Sequence, residues 1–203
     1  MQKALPMNNC PCTEKIKTMQ THIGWKGLLY HSVEDCHITS NNNGTGVNGV
    51  IKGFGEGKNF AVDYFIQLNQ RWETLSFEIK SRIGEKNFDL RAESNGEGKW
   101  TIESNEEPGY DHCFDIDISL TPFTNTLPIK RLMPAINEKH RITVLYIDVL
   151  KQETRRIDQL YTKLSDTTYK YENTINDFSA ILTVDDAGLV VHYPGIFTRT
   201  GLD

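Results

Sequence analysis

The chain has 203 residues, with 27 acidic against 22 basic side chains and a net charge of −5 when histidine is neutral. With 38% hydrophobic and 24% charged residues it is too apolar for disorder, and long enough to bury a core without disulfide staples. The acidic balance argues against a nucleic-acid partner, which needs a concentrated basic face, and the basic clusters are no longer than pairs such as Arg155-Arg156.

Residues 1–22 mix Pro6, Asn8, Asn9 and Pro11 with lysines and show no helical or strand periodicity. They are expected to form a flexible extension ahead of a single β domain at 23–203, with Met19 as an alternative start. The sequence offers neither the apolar run of a signal peptide nor 18 consecutive apolar residues, so a cytoplasmic location without a transmembrane segment is expected. Cys10-Pro-Cys12 lacks the second cysteine pair of a zinc site. Together with Cys36 and Cys113 it reads most plainly as free thiols, and no metal or cofactor is expected.

From Gly24 onward, short β-like runs alternate with turn chemistry. Runs at 25–31 and 34–39 lead to the Asn- and Gly-rich loop 41–46, then to 47–54, where Gly53, Gly55 and Gly57 signal a hairpin turn or bulges. Runs at 61–68 and 72–83 follow, the second with the strict alternation of a half-buried strand. Gly84-Glu85 turns into 86–92, and Asn95-Gly96 predicts a tight type I′ hairpin returning at 99–103. Strands are expected at 113–120, 142–150, 156–165, 168–173, 178–185 and 189–193. The segment 121–134 carries three prolines and reads as a braced loop with room for one helical turn at 127–132. Ten or more short strands point to a barrel or sandwich with at most short helices.

Chemistry-bearing patterns are sparse. Strand periodicity places Asp111, Cys113, Asp115 and Asp117 on one face, either as paired carboxylates for metal or acid–base work or, more plainly, as an acidic wet face. The six histidines form no HxH, HxxxH or HExxH pair, and no GxSxG elbow nominates a nucleophile. Gly53-Phe54-Gly55-Glu56-Gly57 lacks the Lys-Ser/Thr of a phosphate loop. The late aromatics Tyr146, Tyr161, Tyr169, Tyr171, Phe178, Tyr193 and Phe197 suit an amphiphile site and a β core equally.

Several blocks together resemble a known family. They are Trp25, Glu34-Asp35-Cys36, Tyr64, Arg71-Trp72, the stretch from Asp115 and Asp117 through Pro122, Asn125, Pro128 and Arg131-Leu132, Gln159 to Thr162, Tyr169-Lys170-Tyr171, and Asp185 to Gly195. Over about 24–199 the chain resembles the glycolipid-binding proteins of bacteria. The resemblance implies an all-β fold: a single strongly curved antiparallel sheet, a half-barrel or partly open barrel in the style of lipoprotein carriers. It implies lipid or glycolipid binding on the concave face and supplies no catalytic residues. An apolar lining would hold acyl chains and a polar rim a headgroup, with Trp25, Glu34, Tyr64, Asn125, Arg131, Gln159 and Tyr161 as candidate ligand-binding residues. Two other readings stay open: a hydrolase or metal-dependent enzyme using Asp115, Asp117 or Glu34, and a protein-interaction domain using an exposed sheet edge.

Overall fold

Alternation of apolar and polar side chains with a period of two decides the architecture. In the run 58–68, Phe60, Val62, Tyr64, Ile66 and Leu68 are buried while Asp63 and Phe65 face solvent. The computed structural model describes residues 17–103 and 105–201, so Cys10, Cys12 and most of the expected N-terminal extension lie outside the described residues.

Strands β1 (Met19–Gly27), β2 (Ser32–Asn41), β3 (Gly44–Gly55), β4 (Lys58–Leu68), β5 (Thr74–Ile83), β6 (Lys86–Ser94), β7 (Trp100–Ile102) and β8 (Asn105–Glu106) form a meander. A 3₁₀ turn at Pro108–Tyr110 leads to β9 (Asp115–Ile118), a second 3₁₀ turn at Phe123–Asn125 and helix α1 (Thr126–Leu132). A second meander follows: β10 (Lys139–Asp148), β11 (Glu153–Lys163), β12 (Thr168–Asn173), β13 (Ser179–Val184), β14 (Val190–Tyr193) and β15 (Phe197–Thr200).

These strands make one sheet in the order β8-β7-β6-β5-β4-β3-β2-β1-β15-β14-β13-β12-β11-β10-β9. The β1–β15 pair, with Trp25 opposite Arg199, joins the meanders. Neighbours are antiparallel except β9 and β10, which run parallel because α1 supplies the crossover that parallel strands require.

The sheet does not close into a barrel. Its edges, β8 and β9, do not pair with each other among the described residues. The loop that connects them is bonded back onto the first meander, where the Trp100 indole donates to the Cys113 carbonyl, His112 N–H to Gly98 O and Thr74 N–H to Phe114 O. The space against the first meander is filled: Leu120, Phe123 and Leu127 share a core with Trp25, Ile51, Phe77 and Leu145. A second core, rich in tyrosine, spans β10 to β15 and takes Ile129 from α1.

Several local readings shift. Met19–His22 pair in register with Ser40–His37, so β1 starts ahead of the boundary drawn at residue 23; cross-strand bonding supplies what apolar periodicity lacks there. Residues 28–31 leave the ladder, with His31 at positive φ, and Trp72 also adopts positive φ in the β4–β5 turn rather than opening β5. In that turn the Asn69 side chain accepts the N–H groups of Arg71 and Glu73. The expected tight turn at Asn95-Gly96 is a longer loop, because Asn95 Oδ1 accepts from Glu97 and Lys99 and the positive φ angles fall on Gly96 and Gly98. Glu56-Gly57 makes the tight hairpin turn, both residues at positive φ. The braced loop at 121–134 contains α1, which tolerates Pro128 in its first turn and ends on Met133 in the left-handed conformation.

Candidate functional site

The inward face of β2 reads Ser32, Glu34, Cys36, Ile38, so its period delivers a carboxyl into the apolar core. Glu34 Oε1 accepts the Tyr64 hydroxyl at 2.5 Å and the Thr121 hydroxyl at 2.7 Å, while Oε2 is buried without a partner among the described residues. Burial pushes the Glu34 carboxyl up to about 8 against the downward pull of these two donors, so the neutral acid dominates at pH 7. The Tyr64 ring occupies the space above Gly49, its cross-strand partner, where a Cβ would overlap it. Cys36 and Cys113 are buried free thiols, and burial holds both above the ordinary thiol range.

In strand β9 Asp115, Ile116 and Ile118 are buried and Asp117 is half-buried, so the expected acidic wet face turns largely inward. Asp115 is wholly buried and accepts a two-pronged bond from Arg131, with Nη2 2.6 Å from Oδ2 and Nε 3.1 Å from Oδ1. Burial raises the Asp115 carboxyl against the pull of that guanidinium. Asp117 accepts from Gln159 Nε2 at 2.7 Å and Thr124 Oγ1 at 3.1 Å, and burial raises it too. The Tyr161 hydroxyl donates to Asn125 Oδ1 at 3.0 Å, fixing the end of the 3₁₀ turn. Both carboxylates are thus tied to Arg131, Gln159 and Thr124, and neither bonds a histidine.

Asp117 and Asn125 line a cleft of about 350 Å³ on the side of the second meander. Tyr146, Tyr171, Tyr193 and Phe197 wall it. Tyr171 packs edge to face on Tyr193 and Tyr193 on Phe197, each at 6.2 Å between centroids. Burial and then the nearby Asp117 charge raise the hydroxyls of Tyr146, Tyr171 and Tyr193, which keeps them neutral donors. At the mouth stand three exposed apolar side chains: Leu29 at 59%, Ile175 at 65% and Phe178 at 37% exposure. Arg155, Asn173 and Asn176 add polar groups to the wall.

Of the seven candidates from the sequence, Asn125 alone lines this cleft. Glu34 and Tyr64 meet each other beneath Thr121, a lining residue. Gln159 and Tyr161 stand behind Asp117 and Asn125, and Arg131 behind β9. Trp25 sits apart, its indole donating to Val190 O at 2.8 Å. Asn173, Ile175, Asn176 and Leu29 carried no signal in the sequence. Tyr146, Phe178 and Phe197 stood out only as a tally of late aromatics, and Tyr171 and Tyr193 also within the family-like blocks; strand pairing is what gathers them.

A family model described as "Putative glycolipid-binding" matches residues 22–199, and the chain belongs to that family. Among solved structures it is similar to a DUF1089 family protein from Pseudomonas aeruginosa, at 27% identity and a TM-score of 0.75, over 98% of this chain and 100% of that one. No curated protein matches the chain. Among the described residues no helix is long and apolar enough to cross a membrane.

Proposed function

We propose that the chain binds a glycolipid or a similar amphiphile at the aromatic cleft and performs no chemistry on it. The observation that carries this reading is the cleft's amphipathic lining: buried tyrosine rings, Asn125 and half-buried Asp117 lie beside exposed Leu29, Ile175 and Phe178, with exposed Arg155 and Asn176 among them. A headgroup entering the cleft meets Asp117, Asn125 and Asn173, and a sugar's apolar face can lie on Tyr171 or Tyr193. The first part of the acyl chain then leaves over Leu29, Ile175 and Phe178. The cleft differs from an apolar cavity with a polar rim, because α1 and its approach fill the space that acyl chains would need. The cleft volume sits at the lower end of the roughly 300–1,000 Å³ common for small-molecule sites, enough for a headgroup rather than a whole lipid.

The nominated residues Glu34, Tyr64, Gln159 and Tyr161 act from behind, fixing Thr121, Asp117 and Asn125. Arg131 neutralises Asp115 and holds α1 on β9. Family membership supports glycolipid binding in general; the cleft is our assignment of where it happens. The carboxylate-enzyme reading gains nothing from carboxylates so committed to structural partners. The edge-pairing reading gains little from edges of two and four residues, one of them buried.

Native mass spectrometry with a short-chain alkyl glycoside tests the proposal. One glycoside should bind the parent chain, and Tyr171→Ala or Asn125→Ala should weaken it by roughly tenfold, the worth of one stacking or hydrogen-bonding group. Equal binding by the parent and both variants would remove the cleft from consideration.

A further inference from the structure

The outward face of β1 and β2, opposite the core, carries a cluster that plays no part in the proposed cleft. His22 and His37 are direct cross-strand partners, and Asp35 lies two residues before His37 on the same face. The partner of Asp35 is Gly24, so no side chain on β1 stands opposite the carboxylate. His22 Nε2 lies 2.5 Å and His37 Nε2 3.3 Å from the same Asp35 oxygen, Oδ1. The two imidazoles stack with centroids 4.0 Å apart and 12° between their planes. One ligand atom from each of the three residues lies within 4.8 Å of the others, and all three side chains are exposed.

A single ion pair would account for His22 and Asp35. Cross-strand pairing stacks the second imidazole on the first, but neither it nor the ion pair requires the second Nε2 to turn to the same oxygen. Three donor atoms gathered at one point suit a metal ion. Bonds of about 2.0–2.2 Å to nitrogen and oxygen place neighbouring ligand atoms roughly 2.8–3.6 Å apart, from octahedral to tetrahedral geometry, and the observed spacings bracket that range. The exposed side chains need only small rotations to reach it.

We propose that His22, Asp35 and His37 form a surface site for a first-row divalent transition-metal ion, with two imidazole nitrogens and one carboxylate oxygen as protein ligands. Two imidazoles favour zinc, copper or nickel over calcium and magnesium, which prefer all-oxygen sites. Because the site is open to solvent, water or a group from another molecule completes the coordination. Linear spacing hides it, since the histidines are 15 positions apart and meet only through β1–β2 register.

The test is calorimetric titration of Zn²⁺ into chelator-treated full-length chain bearing Cys10→Ser and Cys12→Ser, which removes thiolates that would take zinc themselves. One equivalent should bind. His22→Ala and His37→Ala should each weaken it by more than the roughly tenfold that even an outer-sphere hydrogen bond is worth, and the double variant should lose it. Copper loaded in place of zinc should show an electron paramagnetic resonance signal split by two imidazole nitrogens, and that splitting should vanish in the double variant. Absence of binding by the parent, or zinc affinity unchanged in the double variant, overturns the site.

Discussion

Glu34 shows how one residue couples packing to pH. Its carboxyl is raised from an ordinary value of 4.5 to about 8 by burial. A raised folded-state value means the folded chain keeps a proton that the unfolded chain releases. The stability contribution is therefore whole below about 4.5 and is lost as pH rises toward about 8, at up to about 1.4 kcal/mol per pH unit. Denaturant titrations between pH 5 and 8 should show that decline, and Glu34→Gln should flatten it; equal slopes in both proteins would contradict the assignment. Gly49→Ala, which drives a methyl group into the Tyr64 ring, should cost about 1–3 kcal/mol in the same measurement. The Glu34 and Tyr64 positions stood out in the sequence through family resemblance, but their inward facing did not. Only the β2 register reveals that Glu34 shares a face with Ser32, Cys36 and Ile38.

At the scale of elements, the segment from β9 through α1 organises both cores. Asp115 and Arg131 clamp its two ends 16 residues apart. Arg131→Met leaves the Asp115 charge buried and unpaired and should cost roughly 3–5 kcal/mol. Arg131→Met combined with Asp115→Leu should recover much of that loss, and thermal melts of the two variants decide the matter. Long alternating strands such as β4 and β5 were legible from periodicity alone. Of the short ones, β7, β9 and β14 were also expected, but two were not: β15 has four residues with one buried position, and β8 has two residues in all. α1 was legible as one helical turn at 127–132, and it runs a residue longer because Pro128 falls in the first turn, where its missing N–H costs nothing. β9 read as half-wet because its aspartates look like solvent-facing residues, and only tertiary pairing with Arg131, Gln159 and Thr124 allows them inside.

Across the whole molecule, one sheet joined at β1 and β15 leaves two unlike halves. The first meander packs its inner face solidly onto the approach to α1, and the second keeps an aromatic cleft. A curved sheet was legible from strand number and family resemblance. Which half stays open was not, since that depends on where a single crossover lies. The account predicts that a ligand is held by residues from the β1–β2 connection, β9, α1's approach and β10 to β15, gathered from Leu29 to Phe197. Backbone amide shifts of the isotope-labelled chain during titration with a short-chain alkyl glycoside test this most directly. Saturable shifts should centre on Asp117, Asn125, Tyr171, Asn173 and Tyr193, with β3 to β5 undisturbed. Shifts confined to the first meander, or no saturable shift at any residue, would contradict it.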